Sequence, residues 1–316
     1  MTTQGIPGTM PARVRQRPGD RLFSGGTVLA GALILVTLGA VAVFLVVQSI
    51  PALVVDPKEL AGSPSSFWEY VAPLAFGTVW AAALAMAMAL PVSIGIALFI
   101  SHYAPRRIAQ VLGYIIDLLA AVPSVVFGLW GIKVLAPFVQ PFYDWLVDNF
   151  GWFPLFAPPV SGTGRTILTV AIVLGVMVLP IITAVCREVF LQTPRLHEEA
   201  ALALGATRWE MIQTAVLPFG TPGIISAAML GLGRALGETM VVAMVLSPAL
   251  VINIVLTGSV NPGTIAGNIA LNFPEAHGVD VNALIATGLI LFVITLLVNL
   301  AARVAINRRK AFSGAN

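Results

Sequence analysis

Not one charged residue falls within 25–47, 74–100 or 166–185. Each run is matched to the hydrocarbon layer of a bilayer, which takes about 20 residues of helix to cross. Inside lipid the backbone must satisfy its own N–H and C=O groups, so such runs fold as helices. Three further runs, 108–135, 224–246 and 284–305, have similar length and carry only isolated charges. Six crossings follow. The composition agrees, with 58% of residues hydrophobic and 10% charged, against about 25% charged in a soluble domain. The predicted class is an all-α polytopic membrane protein.

The first run is longer than the apolar core of a signal peptide, about 7–15 residues, and reads as a transmembrane helix. Residues 1–24, with Arg13, Arg15, Arg17 and Arg21 among Pro and Gly, read as a disordered tail, 25–306 as the membrane domain and 307–316 as a second tail. Six crossings put both tails on one side. That side also holds Arg106, Arg107, Arg187, Arg195, Arg208, Arg303, Arg308, Arg309 and Lys310, and the other holds Lys58, Lys133 and Arg165. Basic residues mark the cytoplasmic face, so both termini are expected in the cytoplasm. The formal net charge of +3 belongs to these loops, and no nucleic-acid partner is expected.

Several chemistries are excluded. Cys186 is the single cysteine, so no disulfide can form within the chain, and core packing is its expected role. His102, His197 and His277 are too scattered to suggest a metal site. Lys58, Lys133 and Lys310 each follow a residue other than glycine, so there is no glycine-rich phosphate loop ending in Lys. The chain is expected to hydrolyse no ATP and to be no enzyme.

Two stretches carry functional signal. In 187–214, Thr193-Pro194 can open a helix, with Thr193 as its cap, and Gly205 suits the left-handed residue that ends one. Thr207 and Glu210 have the spacing of a capping box. Two short helices joined at Gly205, ending by Pro218, make a compact cytoplasmic knob. The prolines and glycines at 218–223 are then expected to interrupt the chain before the fifth crossing.

That fifth crossing carries Arg234 and Glu238, four residues apart and so on one helix face. A charge at a helix centre in lipid is unfavourable by about 2.5–3.5 kcal/mol, and such groups mark function by default. The alternative is an ion pair that only fixes packing. A guanidinium is a planar fork suited to oxyanions, so anion passage is the functional reading, with Glu238 weakening the hold. Gly233 and Gly237 have the spacing that lets a second helix approach. Pro123 and Pro218 are candidate hinges. The aromatic connection 137–164 reads either as an interfacial belt or as a platform for an external partner. The loop 249–282 contains an apolar run at 251–256 that reads as re-entrant.

The motif Glu199-Ala200-Ala201, then Gly205, then Leu217-Pro218 resembles the EAA motif of permease subunits of bacterial ABC importers. The stretch Leu232-Gly233-Arg234-Ala235-Leu236-Gly237-Glu238-Thr239-Met240, with Ala121 to Gly128, resembles the phosphate permeases of the PstC type. The likeness runs from about residue 70 onwards. It implies the type I ABC importer permease fold, with a coupling segment at 195–218 in which Glu198, Glu199, Ala200, Ala201 and Gly205 meet an ATPase subunit. It implies as partners a PstA-type second permease, an ATPase dimer that uses ATP and Mg, an external phosphate-binding protein, inorganic phosphate and membrane lipid, with no cofactor on this chain. The alternatives are a permease for another oxyanion such as sulfate or molybdate, and an ion-coupled secondary transporter using Glu238 and Asp117 as proton relays.

Overall fold

The structure, a computed structural model, describes residues 18–54 and 66–310. The tail expected before residue 18, the charges of the 55–65 loop and the tail beyond 310 lie outside the described residues. The chain divides into two units at Val47. Within the described residues the first is the greater part of helix α1 (Pro18–Val54). This helix begins seven residues before the expected boundary at 25. Pro at the first position is pre-organised for a helix, and Asp20 in the first turn complements its positive end.

The second unit holds the remaining elements in order. They are α2 (Phe67–Leu98) with a π-helical turn Phe99–Tyr103, α3 (Arg106–Ala120), α4 (Ser124–Trp130), a π turn Gly131–Leu135, and α5 (Ala136–Phe150). After α6 (Ile167–Leu191) come α7 (Arg195–Ala203), α8 (Arg208–Met211), a π turn Ile212–Val216, α9 (Leu217–Leu236) and α10 (Met240–Val245). A small parallel pair, β1 (Pro248–Ala249) with β2 (Asn261–Pro262), precedes α11 (Ile265–Asn272) and α12 (Val279–Lys310). Among the described residues six helical runs are long and apolar enough to cross a membrane.

Helix α6 is the hub, because small residues let its neighbours close on it. On one side α2 brings Ala81, Ala82, Ala85 and Ala89, all buried, and the Ser93 hydroxyl donates to the Leu179 carbonyl at 3.2 Å. On the other side α9 runs antiparallel, with Gly220 against Phe190, Gly223 against Val189 and Gly231 against Ile182. A methyl group at Gly231 would stand 2.6 Å from Ile182 Cδ1. Cys186 is fully buried in this core.

Three expectations need correction. The run 208–236 is continuous, and Pro218 to Gly223 do not interrupt it. The π turn just ahead reorganises the hydrogen-bond ladder where Pro218 could not donate. Hydroxyls take up carbonyls around Pro222, with Thr221 donating to Leu217 at 2.7 Å and Ser226 to Pro222 at 2.9 Å. The crossings expected at 108–135 and 224–246 are each broken, at 121–123 and at 237–239. Pro123 accounts for the first break, since the residue before a proline is pushed out of helical geometry. In the second, Gly237 is the cap of α9, the residue type that most readily leaves a helix.

By length and composition the third span is Ser124–Phe150. Packing argues for 106–135 instead. Gly113 lies against Arg187 near the α7 end of α6, and Gly131 lies against Val173 near its other end. Tyr143 of α5 bonds Thr169 at that same far end, at 2.9 Å. The chain therefore crosses on α3 and α4, and α5 packs its Tyr143 across the end of α6. The aromatic connection is thus largely helical, with Phe138, Phe142 and Trp145 exposed on it. The apolar run 251–256 is not helical, and the loop around it is tied down by Asn261.

Candidate functional site: two broken helices at mid-depth

The two breaks stand side by side. Gly128 of α4 lies against Val241 and Met244 of α10, and Gly131 lies against Val245. The two half-helices therefore run parallel in a register that brings Pro123 level with Gly237. Their amino ends meet at one depth. Gly231 packs on Ile182, so three residues on Arg234 is level with Leu179, the middle of α6 (Ile167–Leu191). Ala121, Pro123, Gly233, Arg234 and Gly237 are all exposed on the surface of this chain.

The break changes what the charged pair can do. Arg234 and Glu238 no longer share a helix face, and no ion pair joins them. Arg234 sits in the last turn of α9, where the partial negative charge of the helix end favours a cation by about 0.3–1 kcal/mol. Glu238 is 9% exposed and turns the other way. Its Oε1 accepts the Val241 N–H of α10 at 3.3 Å. Each charge is matched to a helix end, and the guanidinium stays open. Gly233 has no atom within 4 Å of where a side chain would begin, and Gly237 meets only the Gly233 carbonyl. Among the described residues no second helix packs on that pair of glycines.

Two residues that sequence reasoning passed over hold α10 in place. The Arg165 guanidinium caps its far end, Nε donating to the Val245 carbonyl at 3.1 Å and Nη2 to Met244 and Leu246 at 3.3 and 3.5 Å. Asn261 is fully buried. Its Oδ1 accepts the Ile167 N–H at 2.9 Å, and its Nδ2 donates to the Arg165 and Gly258 carbonyls at 3.2 and 3.3 Å. The available signal was an arginine directly ahead of an uncharged run, where a lone charge needs a partner.

The knob forms with one change. Pro194, and not Thr193, is the cap of α7, and the buried Thr193 hydroxyl has no hydrogen-bond partner. Gly205 has φ +87°, and Thr207 and Glu210 make both bonds of the capping box, at 3.3 and 2.7 Å. Ala201 faces the core. Glu198 Oε1 lies 3.6 Å from His102 Nε2, at the end of α2. Glu199, Ala200, Leu196 and Trp209 are exposed, and Leu204 is 90% exposed. An apolar rim around one carboxylate is a surface suited to a protein partner.

Elsewhere, a cavity of about 490 Å³ lies between α2, α11 and α12, with Tyr70, Asn268, Glu275 and Asp280 on its wall. Its two carboxylates suit it poorly to an anion, so the breaks are the better candidate site.

A bundle built on close small-residue contacts, with crossings broken at mid-depth and a structured knob on one face, defines a membrane permease. The chain belongs to the family of binding-protein-dependent transport system inner membrane components, whose model matches residues 89–311. It is 44% identical to the phosphate transport system permease protein PstC 2 of Mycobacterium tuberculosis, over 94% of this chain and 96% of that protein. It is 39% identical to PstC of Mesorhizobium japonicum, over 94% and 92%. Among solved structures it resembles a chain of a bacterial ABC transporter that imports alginate, with TM-score 0.58 and 18% identity over 91% of this chain and 99% of that one. A chain of the MetNI methionine ABC transporter aligns with TM-score 0.51 and 16% identity, over 77% and 94%. The chain is therefore a multi-pass membrane component of an ABC importer.

Proposed function

We propose that this chain carries inorganic phosphate into the cytoplasm as one of two permease subunits of an ATP-driven importer. The observation that carries the reading is the unpartnered Arg234 guanidinium, exposed at mid-depth beside the paired amino ends of α4 and α10. Broken helices whose amino ends point at an anion are a recurring transporter device, and Arg binds tetrahedral oxyanions through a planar fork. The permeases named above as relatives point to phosphate among the oxyanions. Glu238, turned into α10, leaves the anion held by Arg234 and by backbone.

The knob faces the cytoplasm in this reading, as do both termini, in keeping with the basic residues on that side. Glu199 and the exposed Leu196 and Leu204 dock in an ATPase dimer, which binds ATP and Mg, while this chain performs no hydrolysis itself. A PstA-type permease covers the exposed face at Gly233 and Gly237, and an external phosphate-binding protein delivers the cargo. Crossing helices move as the ATPases close. The test is ATP-dependent phosphate uptake by the reconstituted complex carrying Arg234→Gln. Loss of uptake with assembly intact supports the reading, and full uptake removes Arg234 from the path.

A further inference from the structure

Helix α10 has six residues, about 9 Å at 1.5 Å per residue. So short a helix has no stability of its own, and its position depends on what holds its sides and ends. Val241, Val242 and Val245 are buried along its side. At its amino end Glu238 accepts the Val241 N–H. At its carboxyl end the only side chain seen to reach the Met244, Val245 and Leu246 carbonyls among the described residues is Arg165. A helix end leaves such carbonyls without intrahelical partners, and a fixed guanidinium fork can meet several at once.

The same arginine is tied to the outer loop. Its own carbonyl accepts from the Asn261 amide, which also holds Gly258 and, through Oδ1, the first turn of α6. A connected path of named hydrogen bonds thus runs from the 258–261 loop, through Arg165, along α10, to Glu238 and the break at 237–239.

We propose that Arg165 is a positioning residue for transport. It holds α10 in the register that sets Glu238 and the open break beside Arg234, and it passes displacement of the outer 258–261 loop to that break. The proposal rests on the reading of Arg234 and the break as the anion path. It needs no contact between Arg165 and the anion.

The experiment uses the complete reconstituted complex, with both permeases, the ATPase dimer and the binding protein, in vesicles. Phosphate uptake and ATP hydrolysis are measured together for Arg165→Gln and Arg165→Lys, with Arg234→Gln and Glu238→Gln in parallel. For Arg165→Gln, ATP hydrolysis is expected to stay within about twofold of the parent while phosphate moved per ATP falls about tenfold or more. Arg165→Lys, which keeps a cation at the carbonyls, is expected to recover to within about threefold. A merely structural role would lower both activities in proportion and show no rescue by Lys, and that result overturns the proposal. So does unchanged phosphate per ATP in Arg165→Gln. If Arg165→Gln does not assemble, Arg165→Lys decides by the same ratio: intermediate coupling supports the proposal and parental coupling overturns it. Full uptake in Arg234→Gln would instead remove the anion-path reading, and this proposal with it, whatever Arg165→Gln does.

Discussion

Arg234 and Glu238 are four residues apart and face different helices: the guanidinium belongs to the end of α9, and the carboxylate caps the start of α10. Their substitutions should therefore behave independently. Arg234→Gln is expected to lower phosphate uptake about tenfold or more, in line with loss of one charge-assisted contact of about 1.5–3 kcal/mol. Glu238→Gln keeps an oxygen that can accept the Val241 N–H, and Glu238→Ala does not. The alanine variant should lose about 1 kcal/mol of stability, read as a lower melting temperature of the purified complex, with the glutamine variant near the parent. Equal melting shifts for the two would show that the cap contributes nothing.

Selectivity gives a second test of Glu238. Although it is turned into α10 and makes no contact with the anion, a carboxylate this near the break repels a fully deprotonated dianion such as sulfate more than a singly charged phosphate. Glu238→Gln should therefore narrow the preference for phosphate over sulfate, measured by competition in uptake. An unchanged preference would exclude Glu238 from the discrimination.

His102 links the end of α2 to the knob. Its Nδ1 lies 2.7 Å from the Ser101 hydroxyl, which also bonds the Ala97 carbonyl at 2.8 Å, and its Nε2 lies 3.6 Å from Glu198 Oε1 on α7. His102→Ala removes that link and is expected to lower phosphate moved per ATP in a complex that still assembles. Coupling equal to the parent's would show that the link contributes nothing.

Asn261 should be among the least replaceable residues of the 249–264 loop. Asn261→Ala leaves the Ile167 N–H without its acceptor and the Arg165 carbonyl without its donor, at a fully buried position. An orphaned buried polar group is destabilising by about 1–3 kcal/mol. Thermal unfolding of the complex checks this, and a shift no larger than that of an exposed substitution such as Ser259→Ala would contradict it.

Gly113 is a test of close approach. A methyl group there would lie 2.6 Å from Arg187 Nη1, so Gly113→Ala must push the guanidinium aside. Reduced yield of assembled complex is expected, with partial recovery when Arg187→Lys is added. Equal yields of the single variant and the parent would show that Arg187 moves freely.

The sequence made the number of crossings legible, because uncharged runs of that length leave few alternatives to helices in lipid. The capping box at Thr207 and the left-handed Gly205 were also readable, since both rest on local chemistry. The breaks were not. Pro123 and Gly237 look like tolerated kinks in a hydropathy reading, and whether the helix parts there depends on what packs alongside, here α4 against α10. The same limit explains the Arg234–Glu238 face, which presumed an unbroken helix. Arg165 was counted only as a loop charge, because its partners lie some eighty positions further along the chain.

The exposed breaks bear on how cells handle this chain before assembly. Ala121, Pro123, Gly233, Arg234 and Gly237 open, halfway through the layer, onto a face that the described residues leave bare. Lipid tails offer nothing to a guanidinium. An orphan copy would present them to hydrocarbon, where membrane proteases sample loosely held segments. Where a second permease covers this face, matched synthesis of the two becomes a condition of survival for this one, and its abundance would track that of its partner even when its own message is plentiful.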